Sequence, residues 1–384
     1  MRRITADYIF PGNSKPIYHG VITIDEEGNI KDVSAERSGD EEVFAGIICP
    51  GFVNVHCHSE LSYAFDKIER GKGIDFFIQQ LEALKRSTSD IEKSDAAKKA
   101  LLQMRNNGIV AVGDIVNTDL TVQLKEESEL QFYNLIEVFG SQSKDAESIW
   151  YRALALNEKF QGKKNIIPHA PYSLSRTLFQ KIRDFQKPGQ TLSIHFMESE
   201  GEAEYFINGT GPMAERFKSW GLELPPHIPS AQRPMPSIGS FLAQNEKVLL
   251  IHNTFVNQED IDFAKRNFNN TFYGLCPNAN LYIEGELPPM ELLLQNHLNI
   301  CLGTDSLASN HSLSILEEMK TLEEHFKIGV EELILWATYN GALALGMEKQ
   351  LGSIDKNKKP GLVLLENVDL NSEKSLQNAR IKVL

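Results

Sequence analysis

The chain has 384 residues, 41% hydrophobic and 24% charged, with 39 basic and 52 acidic side chains and a net charge of −13. Such a length can bury a core without disulfide staples. With no long basic run, it offers neither a nucleic acid nor an anionic membrane the clustered Lys and Arg that both require.

The first fifty residues read as short strands. ITADYIF and GVITIDEEGNIKDV carry β-branched residues in near-alternation, and the second holds a turn at Glu27-Gly28-Asn29. From there apolar runs alternate with helical stretches, the rhythm of parallel βα units. Eight runs stand out, at 49–55, 109–115, 132–139, 165–170, 191–196, 247–253, 271–276 and 299–305. Near-continuous apolar strands are buried on both faces. Eight of them with intervening helices predict an α/β fold with a (β/α)8 TIM-type barrel over residues 50–349.

A helical pattern over 330–346 closes this part, after which the chain returns to strand-like pieces. The two β-rich ends, 1–49 and 350–384, are each too small for a core of their own, which predicts one small β-sandwich formed by both termini. Between the fifth and sixth runs, 209–239 holds six prolines and reads as a lid or substrate loop. The four cysteines, Cys49, Cys57, Cys276 and Cys301, form no C-x-x-C pair. No apolar run reaches 18 residues, and the N-terminus lacks the apolar stretch of a signal peptide. These features lead us to expect a soluble cytoplasmic protein with no membrane partner.

In such a barrel, catalytic groups come from the C-terminal ends of strands. Here the first strand ends in His56-Cys57-His58, the fourth in His169, the fifth in His195, the sixth in His252 and the eighth in Asp305. A lone strand-end histidine is ordinarily a hydrogen-bonded structural residue. Five strand ends drawing on ten histidines and one GTDS is a coincidence that points instead to a metal site. The H-x-H spacing puts two imidazoles on one side of an extended segment, because side chains alternate with period two.

Three neutral imidazoles with one carboxylate suit a single divalent ion of the zinc type with a position open for water. Ligand type alone leaves iron and manganese open. Glu198 lies just beyond His195 and could shuttle protons if burial raises its pKa. His19, His227, His297 and His325 have no such placement and read as surface or loop residues. His58-Ser59-Glu60 mimics the H-x-E of nucleobase deaminases, but the P-C-x-x-C which that family requires is missing.

PGFVNVHCHSE, HFMESE, LLIHN and ICLGTDSLASN, in this order, resemble the amidohydrolase superfamily, and within it the aminohydrolase branch. Glu60-Leu61-Ser62, HFMES and SLASNHSLSILEEM are similar to its aminodeoxyfutalosine deaminases. The resemblance implies that His56, His58, His195 and Asp305 bind the metal, that Glu198 is the proton shuttle and that His252 polarises or deprotonates water. Binuclear barrel hydrolases bridge their metals with a carboxylated lysine at the end of strand four. Here that strand ends in IIPHAPYS, with Lys163 and Lys164 before it, which predicts one ion. The resemblance makes Glu60 the substrate anchor with His169 nearby, and Asn280, Ser309 and Asn310 further substrate contacts.

Two departures stand out. The family's C-P-R-S-N is Cys276-Pro277-Asn278-Ala279-Asn280 here, which leaves substrate identity open, and its Ala-Asp near the C-terminus is Pro360-Gly361. The expected reaction is hydrolytic deamination of an aminated N-heterocycle, a 6-aminopurine nucleoside derivative such as aminodeoxyfutalosine. Hydrolysis of a cyclic amide or a chloro-substituted heterocycle is the alternative chemistry, and a non-catalytic binding protein on the same fold the alternative of another class. Barrels of this branch often form homodimers, but no exposed helical stripe here marks a dimer face.

Overall fold

The computed structural model describes residues 1–225, 227–242 and 247–384. Eight strands repeat in parallel: β1 (Phe52–Cys57), β2 (Ile109–Val116), β3 (Gln131–Val138), β4 (Lys163–Pro168), β5 (Thr191–Phe196), β6 (Lys247–His252), β7 (Asn270–Leu275) and β8 (Asn299–Leu302). They pair in chain order as two four-stranded sheets, β1 to β4 and β5 to β8. The sheets join on both sides. The His195 amide donates to the His169 carbonyl at 2.8 Å, and the amides of Thr304 and Asp305 donate to the His56 carbonyl at 3.1 Å. The result is the expected TIM-type barrel.

The pleat divides each strand between two cores. Val53, Val55, Ala111, Ile115, Leu135 and Ile251 point inward and pack on the Gly341–Leu345 helix below. Phe52, Val112, Val116, Ile136, Ile166 and Ile194 point outward to the helical ring. Each such side chain, fully buried, contributes about 1.5–3 kcal/mol. Gly113 is glycine for a packing reason, since a Cβ there would lie 2.4 Å from the Val55 carbonyl oxygen. The Asp90–Asn106 helix starts on a capping box in which the Ser89 side chain accepts from the Glu92 amide and Glu92 accepts from the Ser89 amide, a device worth about 0.5–2 kcal/mol.

Both termini meet in one sheet, where Arg380–Val383, Leu362–Glu366, Ile47–Pro50, Tyr8–Ile9 and Ile17–Tyr18 lie side by side. A second sheet of Ile30–Ser34, Val21–Ile24, Arg2–Thr5 and Glu42–Val43 shares its core through Ile4, Ile22, Ile30, Ile48 and Leu364.

Four expectations change. The run at 49–55 is two strands, because the chain leaves the terminal sheet at Pro50 and enters β1 at Phe52. Gly51 between them has no room for a side chain beside Val110. The segment 209–239 is not one loop. It carries helices at Pro212–Ser219 and Pro234–Ile238, each opened by a proline at its first turn, where the missing N–H costs nothing. The helical pattern over 330–346 is interrupted by a π-helical turn at Trp336–Asn340. His227 lies in a loop as expected but is buried, not on the surface, and packs 6.1 Å from the Phe206 ring. Among the described residues no helix is long and apolar enough to cross a membrane.

Candidate active site

His56 and His58 leave β1, His195 leaves β5 and Asp305 follows β8, and all four meet above the barrel. The His58 Nε2 lies 3.2 Å from His56 Nε2 and 3.3 Å from His195 Nε2. Asp305 Oδ1 is 3.5 Å from the Nε2 of both His56 and His58. The His195 Nδ1–H donates to the His169 carbonyl at 2.9 Å, so its Nε2 presents a bare lone pair. Burial drives His56 down to about 4 and His195 well below the ordinary histidine value, the latter helped by its imidazole neighbours.

Neutral rings facing one another through lone pairs repel unless a cation lies between them. A tetrahedral ion with metal–nitrogen distances of 2.0–2.1 Å sets its ligand atoms about 3.3 Å apart, so the spacing and the donor set both fit a divalent ion. Burial alone would raise Asp305, yet His56 and the imidazoles around it hold it below the usual carboxylate range. Ser309 Oγ donates to its second oxygen at 2.5 Å.

The strands deliver these groups in different ways. On β5, Leu192, Ile194 and Phe196 face the helices, so the pleat alone turns His195 inward. On β1 the inward residues are Val53 and Val55, and regular alternation would send His56 and His58 outward. A register shift against β2 between Asn54 and Cys57 reverses them, leaving Cys57 on the outer face. On β6, Ile251 points inward, and His252 and Asn253 follow it in the left-handed region at φ 73° and 57°. Asp305 (φ 54°) and Met197 (φ 49°), just before Glu198, do the same. Left-handed backbone costs a non-glycine residue about 1–2 kcal/mol, strain that concentrates where side chains must be aimed.

Glu198 is buried with Oε1 3.4 Å from His252 Nε2. Burial, with Asp305 nearby, raises its carboxyl well above the usual range, which suits a proton donor. The Met197 and Glu198 amides donate to Glu202 at 3.2 and 2.9 Å and fix that turn. Asn280 sets the tautomer of His252. Its Nδ2 donates to Thr254 Oγ1 at 2.6 Å, so its Oδ1 faces His252 Nδ1 at 3.0 Å and takes the proton there. His252 Nε2 is left as an acceptor with no partner of its own.

A cavity of about 570 Å³ opens over this cluster. His58, His195, Glu198 and Asp305 form its floor, and Asn117, Glu137, His169 and Tyr172 its inner side. The Gly73–Ser87 helix adds Ile74, Phe77, Ile78 and Leu81, with Phe217 and Trp220 from the neighbouring helix, where Arg216 pairs with Asp75, and Lys85 and Arg86 completing the wall. The 209–239 segment therefore reaches the cavity through one of its helices.

The expected substrate contacts divide. His169 lines the cavity, its Nδ1 3.0 Å from Ser173 Oγ. Glu60 is buried behind the wall, where its carboxylate accepts from the Asn117 and Thr118 amides at 3.3 and 3.0 Å. Burial lifts it to about 7. Asn280, Ser309 and Asn310 are correspondingly turned to protein: Asn310 Nδ2 donates to the Thr304 carbonyl at 2.8 Å and to Glu318 at 2.7 Å. These three position His252 and the Asp305 loop, and do not face the cavity. Asn278 points away as well, its amide donating to Glu318 at 2.9 Å.

Sequence reasoning passed over Glu137, Asn117 and Arg216. Glu137 lies two residues after the inward Leu135 at the end of β3, so its register was the signal.

A closed barrel with a His/Asp metal site at the C-terminal ends of its strands defines a metal-dependent barrel enzyme. Residues 47–382 match the amidohydrolase family, and the chain belongs to it. An adenosine deaminase of Helicobacter pylori is 27% identical over 326 residues, 82% of this chain and 78% of that protein. An aminodeoxyfutalosine deaminase of Nitratiruptor sp. is 28% identical over 339 residues, 83% and 79%. Among solved structures, the Helicobacter pylori aminofutalosine deaminase in complex with methylthio-coformycin superposes with a TM-score of 0.82 at 22% identity, covering 100% of this chain and 97% of that one. A Xanthomonas campestris adenosine deaminase with bound zinc gives 0.77 at 18% identity, covering 98% and 88%. At these identities the superpositions establish the fold.

Proposed function

We propose that this protein is a metal-dependent hydrolytic deaminase of an adenosine-like nucleoside, with aminodeoxyfutalosine as the first candidate substrate. The observation that carries the reading is the convergence of Glu198 and Asp305 with His58 and His195 on one cavity floor, with His252 directly behind Glu198 and beside His56 and His195. The deaminases among the relatives supply the substrate class. His56, His58, His195 and Asp305 would hold one divalent ion, zinc. The chemistry such an ion supplies is Lewis-acid activation of water at neutral pH.

The chain's own groups do the rest. One proton of the attacking water passes to the His252–Asp305 pair of acceptors, and Glu198, whose hold on its proton burial strengthens, donates to the ring nitrogen beside the amino-bearing carbon. The first of these protons then passes on to the amine, which leaves as ammonia, while the hydroxyl on the same carbon gives its proton to Glu198, so that the carbonyl forms and the acid is restored. His252 can serve only in the tautomer that Asn280 imposes. The wall of Phe77, Leu81, Phe217 and Trp220 accommodates an apolar substituent, with Arg86, the Lys85–Glu82 pair and the Asp75-paired Arg216 around it. The four buried free thiols fit a reducing, cytoplasmic setting.

The test is ammonia release from zinc-loaded protein with adenosine, adenosylhomocysteine, methylthioadenosine and aminodeoxyfutalosine, against guanine and cytosine. Saturable turnover of a 6-aminopurine nucleoside supports the reading. Zinc bound with no ammonia from any nucleoside overturns it.

A further inference from the structure

Behind the ligand-bearing end of β1 lies a buried ion pair that the proposed chemistry does not use. Asp114 is fully buried on the outer face of β2, between the outward Val112 and Val116. Its partner Lys125, on the Val122–Glu126 helix, has a side chain only 4% exposed. Lys125 Nζ lies 2.6 Å from Asp114 Oδ2, donates to Asn134 Oδ1 at 2.9 Å, and stands over the Phe132 and Phe160 rings at 5.2 and 5.0 Å. Both carboxylate oxygens hold a single residue. The Ser59 amide donates to Oδ1 at 2.9 Å and the Ser59 hydroxyl to Oδ2 at 2.6 Å.

Ser59 immediately follows His58, and Asp114 grips it where β1 changes register. Asn54 pairs with Val112 and Cys57 with Asp114, so three steps along β1 match two along β2. That extra residue turns His56 and His58 inward, and the pleat by itself does nothing to retain it. The Ser59–Ala64 turn has His58 at its N-cap, and the imidazole, turned to the cluster, makes no cap hydrogen bond. Asp114 supplies the missing acceptor from the neighbouring strand. With Cys57 packed on the outer face and Ser59 tied there as well, the residue between them has to face the barrel mouth. A buried ion pair adds little to stability, because desolvation offsets most of its attraction. Its consequence here is geometric, since Lys125 holds the carboxylate where it meets Ser59.

We infer that Asp114, braced by Lys125, is a positioning residue that fixes the Ser59 turn and thereby aims the His58 imidazole at the ion. The inference rests on the reading of His56, His58, His195 and Asp305 as the ligands of one divalent ion. It gives a role in the site to β2, a strand that contributes no ligand of its own.

The experiment measures the zinc Kd of the full chain by chelator competition for wild type, Ser59→Ala and the double variant Asp114→Asn with Lys125→Met, which leaves no unpaired charge. Urea unfolding of the metal-free forms and visible absorption of the cobalt-substituted forms accompany it. Loss of the support behind a metal ligand predicts a Kd raised about 10- to 100-fold in the double variant, and by the lower end of that range in Ser59→Ala, which keeps the amide bond. The cobalt band should change in both, because it reports ligand geometry. A pair that is only structural predicts instead a lower urea midpoint for the metal-free double variant, with Kd and cobalt band as in the wild type, and that result overturns the inference. Ser59→Ala leaves the ion pair in place and serves alone if the double variant does not fold, and an unchanged Kd there overturns the inference equally. A wild type that binds no zinc overturns the metal-site reading itself, an outcome separate from either.

Discussion

His195 and His252 stand side by side, their rings stacked with centroids 5.3 Å apart, yet their strands bring them there by opposite means. β5 runs as a regular pleat to its end, and His195 is simply the next inward residue after Ser193. β6 breaks its pleat, because Ile251 already occupies the inward position and only the left-handed turn at His252 and Asn253 brings the ring back over the barrel. β1 reaches the same end through a register shift, and the chain after β8 through the left-handed Asp305. A regular strand end places a side chain without strain. A broken one places two consecutive residues on the same side, at an energetic cost that surrounding hydrogen bonds must offset.

If both devices serve one metal site, removing a ligand from either has the same result. His195→Ala on the regular strand and His56→Ala on the shifted one should each lose zinc and lower turnover by about 10³-fold or more, since Lewis-acid activation is worth several kcal/mol. Metal analysis of the purified variants checks this. Retention of full zinc by His56→Ala would mean that the register shift of β1 serves something other than the ion.

Glu198 sharpens the contrast because it follows the left-handed Met197 yet touches no ligand position. Glu198→Gln keeps the shape and removes the proton, so zinc content should stay at the wild-type level while kcat falls by about 10²- to 10⁴-fold. Near-normal kcat in that variant would remove Glu198 from the proton path.

The comparison also explains what could be read from the sequence. Eight apolar runs and their polar ends gave the barrel, since burial on both faces writes strand position directly into composition. His169 and His195 sit where alternation puts them, and the same rule, applied to Leu135, would have found Glu137. His56, His252 and Asp305 could be found only as polar residues at strand ends, not by alternation, because a register shift and three left-handed residues leave no periodic trace.

Glu60 is the instructive case. A carboxylate two residues past His58 looks like a substrate contact, but the Ser59–Ala64 3-10 turn swings it behind the wall onto the Asn117 and Thr118 amides. The helices within 209–239 were hidden by prolines that sit at first turns, where they start helices instead of ending them.

Stability should report the same contrast more quietly. Asn253 is fully buried, left-handed, and donates from its side chain to the Leu250 carbonyl at 2.8 Å. Asn253→Ala loses that bond and the residue type that best tolerates the conformation, for an expected cost of about 1–2 kcal/mol. On regular β5, Ser193 Oγ is buried without a partner, so Ser193→Ala should be neutral or slightly stabilising. Urea unfolding of both zinc-loaded variants decides it, and equal costs at the two sites would show that the β6 turn carries no special strain.

The smallest effect lies behind β8. Glu318, on the Ile315–Phe326 helix, accepts from the Asn278 amide at 2.9 Å and from Asn310 Nδ2 at 2.7 Å, and Asn310 in turn holds the Thr304 carbonyl. Burial pushes its carboxyl up to about 8 from an ordinary 4.5, against the pull of those donors. The native state therefore keeps a proton that the unfolded chain releases. The resulting stabilisation is fully present below about 4.5 and is lost as pH rises through about 8, because stability falls with pH wherever the native state binds more protons. Glu318→Gln cannot titrate, so its Tm should fall less than that of the wild type between pH 5 and pH 8.5, with zinc saturating in both. Subtracting the variant removes the contribution of Glu202, which is also raised to about 8 by burial. Parallel curves would place Glu318 as an ionised acceptor throughout, with the Asp305 loop then held by charge-assisted hydrogen bonds at every pH at which the protein is folded.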